Sequence, residues 1–348
     1  MPNLSQNLQA IFILGITPRS GTNYLHNLIL AHPECIGGGG LGEDYLLSKV
    51  NVLAEFQRSV YNAWNIEWKK KIEKKLCSDP LKVYIGYGLL RLLQDIIVPE
   101  NLNCQRTGVS QNAQQPAIPI KAFATVTPSV ENIDKFFSYF PKAKLIILVR
   151  DGRSIVESGI RSFGWEMETA VRRWAKAADD IKEFEENHDM YSEQFMVVRY
   201  EDLFGDTEKE MKTIFSFLGL DPENYNYTTA ANLPVTGSSD LSDTANGIHW
   251  KGVARGKNFS PLKRWDKWNC FMHERFNYIA GNRMFFFGYD LVQNISHKNI
   301  WKQWNKVLDL LYAIETRLLW RGLNAHKLIQ KIRNFVFFHM GKYLSQKL

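Results

Sequence analysis

Two apolar runs, each leading straight into a glycine-bearing turn and then a helical pattern, constrain the fold of this chain more than any other feature. The first is AIFILGI (Ala10–Ile16), followed by the loop TPRSGT and by NYLHNLILAHP, in which Leu25, Leu28 and Ile29 fall at helical spacing. The second is KLIILV (Lys144–Val149), followed by RDGRSIVESGIRSF. A continuous apolar run is what a strand buried on both faces of a parallel sheet requires, because neither alternating side-chain set meets water. A third run, FMVVRY (Phe195–Tyr200), precedes an acidic loop and the amphipathic stretch DTEKEMKTIFSFLGL. Strands alternating with helices predict an α/β fold, a central parallel sheet flanked by helices. The segments YNAWNIEWKKKIEKKL and VRRWAKAADDIKEFEEN read as largely helical, whereas CQRTGVSQNAQQPAIP and LPVTGSSDLSDTANG read as surface loops.

Charge divides the chain in two. Of the 43 Lys and Arg in the 348 residues, ten lie from Leu291 onward, against only the acids Asp309 and Glu315. The first 290 residues keep 33 basic and 34 acidic side chains, so the basic character belongs to the tail. The expected organisation is an α/β domain over 8–290 and a basic, amphipathic helical extension over 291–348. A near-neutral body argues against diffuse nucleic-acid binding. The four cysteines, Cys35, Cys77, Cys104 and Cys270, form no CxxC pair, which argues against a zinc site or a disulfide scaffold and for a reducing compartment. No apolar run reaches the length of a membrane span, and no basic leader precedes the first one, so a cytoplasmic protein is expected.

The loop Gly15-Ile-Thr-Pro-Arg-Ser-Gly-Thr22 between strand and helix has the makings of an anion cradle, with backbone N–H groups and a helix N-terminus facing one point. It lacks the GK[ST] ending of a nucleoside-triphosphate loop. Arg19 supplies a cation, and Ser20, Thr22 and Asn23 supply side-chain donors. Arg150 ends the second strand, with Ser158 eight residues later in the following helix. A strand-end Arg and a helix Ser can meet on one phosphate at the carboxyl edge of a parallel sheet.

Together these segments resemble the sulfotransferase family, whose donor is 3′-phosphoadenosine 5′-phosphosulfate (PAPS). The resemblance runs from about Ile11 to Trp268: PRSGTNYLHNLILAHP is similar to the family's 5′-phosphosulfate loop, FPKAKLIILVRDGRSIVESGI to its 3′-phosphate strand and helix, and VVRYEDLFGDTEKEMKTIFSFLGL to its third segment. The RDGR form and the Gly42-Glu43-Asp44 triplet are closest to the protein-tyrosine and related membrane-type branch. The resemblance implies that Arg19, with Ser20, Gly21, Thr22 and Asn23, holds the 5′-phosphosulfate and that Arg150 and Ser158 clamp the 3′-phosphate. It places Tyr200 near the adenine and implies no metal.

A carboxylate general base is implied at Glu43 or Asp44, with Glu43 preferred. Lys121 resembles a family lysine that lies upstream of the 3′-phosphate strand, and Arg255, Lys257, Lys263 and Arg264 resemble a late basic loop that closes over the donor. His32 and His249 read as structural. The expected reaction is sulfuryl transfer from PAPS to a hydroxyl or amine acceptor, either small or amphiphilic, with a glycolipid slightly favoured. Its rivals are a phosphotransferase with the same cradle and a non-catalytic nucleotide-binding scaffold recruited to membrane.

In the tail, Trp304, Val307, Leu308, Leu311, Ile314, Leu318 and Leu319 follow helical spacing with Lys and Arg between them. Such helices can lie peripherally on an anionic membrane surface. They can equally pack on the catalytic body or on a partner subunit.

Overall fold

A computed structural model of the chain describes residues 8–38, 42–76, 80–98, 119–128, 133–234, 261–292 and 299–347. Five parallel strands form one sheet in the order β2-β3-β1-β4-β5. They are β1 (Gln9–Gly15), β2 (Cys35–Gly37), β3 (Ala122–Thr127), β4 (Lys144–Val149) and β5 (Phe195–Arg199). After β1 comes α1 (Thr22–Leu30). Between β2 and β3 lie α2 (Val50–Ala63), α3 (Ile66–Leu76) and α4 (Pro80–Ile97), and before β4 lies the short α5 (Phe136–Tyr139). Then follow α6 (Gly152–Phe163), α7 (Met167–Asn187), α8 (Tyr200–Gly205), α9 (Thr207–Leu218), α10 (Tyr227–Ala231) and α11 (Cys270–Phe286). The C-terminal part holds α12 (Asn299–Trp320), α13 (His326–Phe335), a π-helical turn (Val336–Met340) and α14 (Gly341–Lys347).

The apolar runs are buried on both sides, as their composition requires. Phe12 and Leu14 of β1 join Leu145, Ile147 and Val149 of β4 in a core completed by α5, α6, α7 and α11. Their alternates Ile11, Ile13, Ile146 and Leu148 pack on the other face against Leu25, Leu28 and Ile29 of α1 and Met211, Ile214 and Phe215 of α9. Each such side chain contributes about 1.5–3 kcal/mol of burial, so the three-layer arrangement follows from these runs. The stretch YNAWNIEWKKKIEKKL is broken rather than continuous. Trp64 is extended, and Asn65 Oδ1 accepts from Trp68 N–H at 2.9 Å to start α3 afresh.

Strands β2 and β3 are additions to the three runs legible in the sequence. β3 is AFATVT, all six residues buried; its Thr125 and Thr127 hydroxyls point to the same face as Phe123 and find a partner there, described below.

The C-terminal helices dock on the body. Trp301, Trp304, Leu308, Phe337 and Leu344 bury against Phe271 of α11. Around that contact runs a chain of ion pairs centred on two buried arginines. Arg275, 1% exposed, reaches Glu168 of α7 (2.5 Å) and Asp309 of α12 (2.7 Å), and donates to the Asn305 carbonyl. Arg333, 2% exposed, joins Glu315 of α12 and Glu166, the N-cap of α7, both at 2.8 Å. Burial alone would raise the Glu166 carboxyl, but the Arg333 hydrogen bond and charge, with Thr169, bring it below its ordinary value; Asp309 is lowered in the same way by Arg275 and Arg172. No helix among the described residues is long and apolar enough to cross a membrane.

Candidate active site

The anion cradle sits where β1 ends. Ser20 staples the loop: its hydroxyl donates to the Thr17 carbonyl (2.5 Å) and accepts from Thr17 N–H (3.2 Å). Arg19 (φ 79°) and Gly21 (φ 95°) both turn left-handed, which swings the chain into α1 at Thr22. Gly21 also lies flat against the Tyr200 ring, where an added Cβ would stand 2.5 Å from Cε2. Only glycine satisfies both demands.

From this loop Arg19 Nε donates to Ser158 Oγ at 3.0 Å, joining β1–α1 to the second turn of α6. Arg150, 5% exposed at the end of β4, donates from Nη1 to the Arg19 carbonyl (2.8 Å) and from Nη2 to the Pro261 carbonyl (2.6 Å). Its Nε is buried with no hydrogen-bond partner among the described residues. The same guanidinium lies 4.4 Å over the Tyr200 ring, a cation–π contact. Burial pushes the Tyr200 hydroxyl above its ordinary value, partly opposed by the Arg150 charge. A third guanidinium comes from the segment before α11: Arg264 Nη1 donates to Ser158 Oγ at 3.2 Å. Arg19, Ser158, Arg150 and Tyr200 are therefore brought together, and Arg264 joins them.

The N-terminus of α6 is capped by its own carboxylate. Asp151 caps α6 by accepting from Arg153 N–H, pairs with the Arg153 guanidinium at 2.8 Å, and accepts from Trp265 Nε1 at 3.1 Å. Trp265 in turn stacks on Arg153, 4.1 Å from ring centre to Cζ. Glu201 accepts from Asp151 N–H and from the Tyr289 hydroxyl, and burial raises its carboxyl above the ordinary range.

Four expected participants fall differently. Asp44 is buried at the carboxyl end of β3. Its N–H donates to the Val126 carbonyl at 2.9 Å, and its carboxylate accepts from Thr125 Oγ1 (2.7 Å), Thr127 Oγ1 (2.8 Å) and Leu46 N–H (2.8 Å). Thr127 is in register with Leu14, one residue before the cradle, so the acid pair lies beside it. Glu43 is part-buried and accepts only from the Tyr45 hydroxyl among its described contacts. Lys121 is not brought to the site. It precedes β3 and pairs with Glu34 at 2.5 Å, at the amino edge of the sheet, about 20 Å of strand from the carboxyl edge. The carboxyl end of β3 carries Thr127, followed by Pro128, and no lysine. Lys263 is exposed with φ 51°, and the left-handed turn there sends the next side chain, Arg264, inward instead. Arg255, Lys257 and His249 lie outside the described residues. His32 is buried and structural: Nε2 bonds the Asp221 carbonyl at 3.0 Å, and its ring stacks on Tyr225.

A parallel sheet with a strand–loop–helix turn and a second strand-end arginine at the same edge is the frame of a class of α/β enzyme that binds its ligands at the carboxyl ends of the strands. Within that class the chain belongs to the sulfotransferase family, whose model matches residues 10–224, and the activity is sulfuryl transfer. Solved structures similar to it include the sulfotransferase domain of the olefin synthase of Synechococcus PCC 7002, at 20% identity over 68% of this chain and 82% of that one, TM-score 0.40. The sulfotransferase domain of the curacin biosynthetic pathway is similar at 18% identity over 83% of this chain and 100% of that one, TM-score 0.43. Retinol dehydratase in complex with androsterone and the inactive cofactor PAP is similar at 15% identity over 82% of each chain, TM-score 0.36. No curated protein matches the chain.

Proposed function

We propose that the chain transfers a sulfuryl group from PAPS to a hydroxyl acceptor, with donor contacts made by the Arg19–Ser158–Arg150–Tyr200–Arg264 cluster. The observation that carries this reading is the convergence of Arg19 and Arg264 on the single hydroxyl of Ser158, with Arg150 fastened to the Arg19 carbonyl. Like charges gathered in a largely buried site repel one another, and an anion of two or more charges relieves that cost. A donor with phosphates at both ends of its ribose supplies such an anion. The buried, unpartnered Arg150 Nε leaves one donor free for it.

Arg150 and Ser158 hold the 3′-phosphate; Arg19, Ser20, Gly21, Thr22 and Asn23 cradle the 5′ end; Tyr200 lies at the adenine. When bound, PAPS supplies an activated sulfuryl group whose leaving 5′-phosphate needs nothing more than positive charge and N–H donors, as phosphoryl transfer does. Arg19 provides both. Glu43 takes the acceptor proton. Asp44 accepts from Thr125, Thr127 and Leu46, so its part is to fix the Glu43 segment on β3. The acceptor is amphiphilic, for example a glycolipid hydroxyl met at a membrane surface. What supports this is the apolar surface of α2 and α4, where Phe56, Tyr84 and Leu92 are exposed in the helices that follow the acid pair.

Calorimetric titration with 3′-phosphoadenosine 5′-phosphate (PAP) in the absence of metal, against ATP with magnesium, tests the donor assignment. Micromolar PAP binding with much weaker ATP binding is expected. Preference for ATP with magnesium would overturn the reading in favour of a phosphotransferase.

A further inference from the structure

The hairpin of α12 and α13 has two apolar stripes where a helix that only packs on a protein body needs one. In α12, Trp301, Trp304 and Leu308 face the body, while Ile300, Val307, Leu310 and Ile314, at spacings of three, four and seven, face solvent. α13 exposes apolar side chains as well, Leu328, Ile332 and Phe335. At the turn joining the two helices Trp320 is 94% exposed, flanked by exposed Leu319 and Leu323. A patch of this extent on a soluble surface marks an interaction site.

Charge selects the partner. Lys302, Lys306, Arg317, Arg321, Lys327, Lys331 and Lys342 are all exposed. The only two carboxylates of the hairpin, Asp309 and Glu315, are engaged in ion pairs with the buried Arg275 and Arg333. The fold thus withdraws the tail's acids and leaves its outer surface apolar and basic. A second copy of this chain would set two such basic faces against each other, which costs rather than gains. An anionic lipid surface accepts both features at once: aliphatic and Trp side chains enter the headgroup boundary while Lys and Arg meet lipid phosphates.

We propose that the α12–α13 hairpin docks the protein on an anionic membrane, with the Trp320 turn as its deepest point. This deepens the partner named in the proposed function but stands on different residues. Vesicle binding requires no donor, so its failure would leave sulfuryl transfer intact, and loss of PAP binding would leave the docking face intact.

The test is co-sedimentation of the full chain with vesicles of phosphatidylcholine alone or mixed with phosphatidylglycerol, at low and high salt. Binding only to the mixed vesicles, weakened by salt, is expected. The triple variant Arg317→Gln/Arg321→Gln/Lys327→Gln should lower the partition coefficient by about a hundredfold, at roughly fivefold per cation. Trp320→Ser should lower it as well, at constant charge. All of these side chains are exposed, so Tm and PAP affinity should stay at the parent values. Absence of binding by the folded parent protein, or equal binding to neutral and anionic vesicles, would overturn the proposal. So would a dimer in solution that Leu310→Asp dissociates, because the stripe would then be a self-interface.

Discussion

Replacing Arg150 by methionine should abolish the protein's preference for a 3′-phosphate while sparing much of its affinity for the rest of the nucleotide. Arg150 is almost fully buried and its η nitrogens donate to the carbonyls of Arg19 and Pro261, so the substitution has a structural cost as well as a functional one. Leaving two buried carbonyls without donors costs about 1–3 kcal/mol each at most. That cost acts on any ligand and must be separated from recognition. The separation comes from comparing PAP with adenosine 5′-phosphate, which differs by the 3′-phosphate alone, in both proteins. A hydrogen bond to a charged group is worth about 1.5–3 kcal/mol, and one or two of them to phosphate give a coupling of about 2–4 kcal/mol. In affinity terms, the parent protein should prefer PAP by roughly 30- to 1,000-fold more than Arg150→Met does. Effects common to both ligands cancel in the cycle. Isothermal titration of the four pairs measures it. If both proteins discriminate equally, Arg150 does not hold the 3′-phosphate and the assignment of this edge of the sheet fails.

Glu43→Gln should reduce turnover by about two to four orders of magnitude with PAP affinity unchanged, whereas Asp44→Asn should chiefly lower Tm; an inactive Asp44→Asn beside an active Glu43→Gln would exchange their roles. Gly21→Ala places a Cβ against the Tyr200 ring and forces an L residue to φ 95°, a strain of about 1–2 kcal/mol, so PAP affinity should fall by roughly tenfold or more in calorimetry. The carboxyls of Glu166 and Asp309 lie below their ordinary values, so their stabilising effect is complete above about pH 4.3 and is lost as pH falls through the lower folded values. Acidification toward about pH 3 should therefore loosen the C-terminal helices before the sheet, seen as a red shift in the emission of the buried Trp301 and Trp304; a hairpin that stays docked would contradict it.

The parts of the site legible in the sequence are those whose physics is local. β1 and β4 announce themselves because burial on both faces demands uninterrupted apolar runs, and the turns after them carry Arg19 and Arg150 by adjacency; β5 is a half-buried edge strand whose run FMVV is nonetheless apolar throughout. β3 is equally buried, but as AFATVT it hides two threonines whose cost is met by Asp44, some eighty residues earlier in the chain. Without that pairing Thr125 and Thr127 look like surface residues, and without β3 in place there is no way to know that Lys121 lies at the far edge of the sheet. Lys263 and Arg264 differ by one position, and the choice between them rests on a left-handed φ at Lys263 that no local pattern encodes. In the tail, helical spacing is plain but pools the inward Trp304 and Leu308 with the outward Val307 and Ile314. Only docking separates the two stripes.

The same docking ties the outer face to the donor site. Glu166 caps α7 by accepting from Glu168 and Thr169 N–H, and it also holds Arg333 of α13. Its neighbour Trp165 packs directly on Gly159, where a Cβ would meet the ring at 1.8 Å, and Gly159 follows Ser158. From Ser158 to Arg333, then, a path of contacts runs through Gly159, Trp165 and Glu166 along the α6–α7 junction, beside a cavity of about 270 Å³ that Trp165, Glu166, Leu308 and Arg333 help to line. A hairpin fastened at Glu166, and again through Asp309 to Arg275 and Glu168, has little freedom to reorient against that junction. Under the proposed membrane docking, the hairpin would hold the catalytic body at one attitude to the bilayer, which would limit how an acceptor in that bilayer is oriented toward the donor.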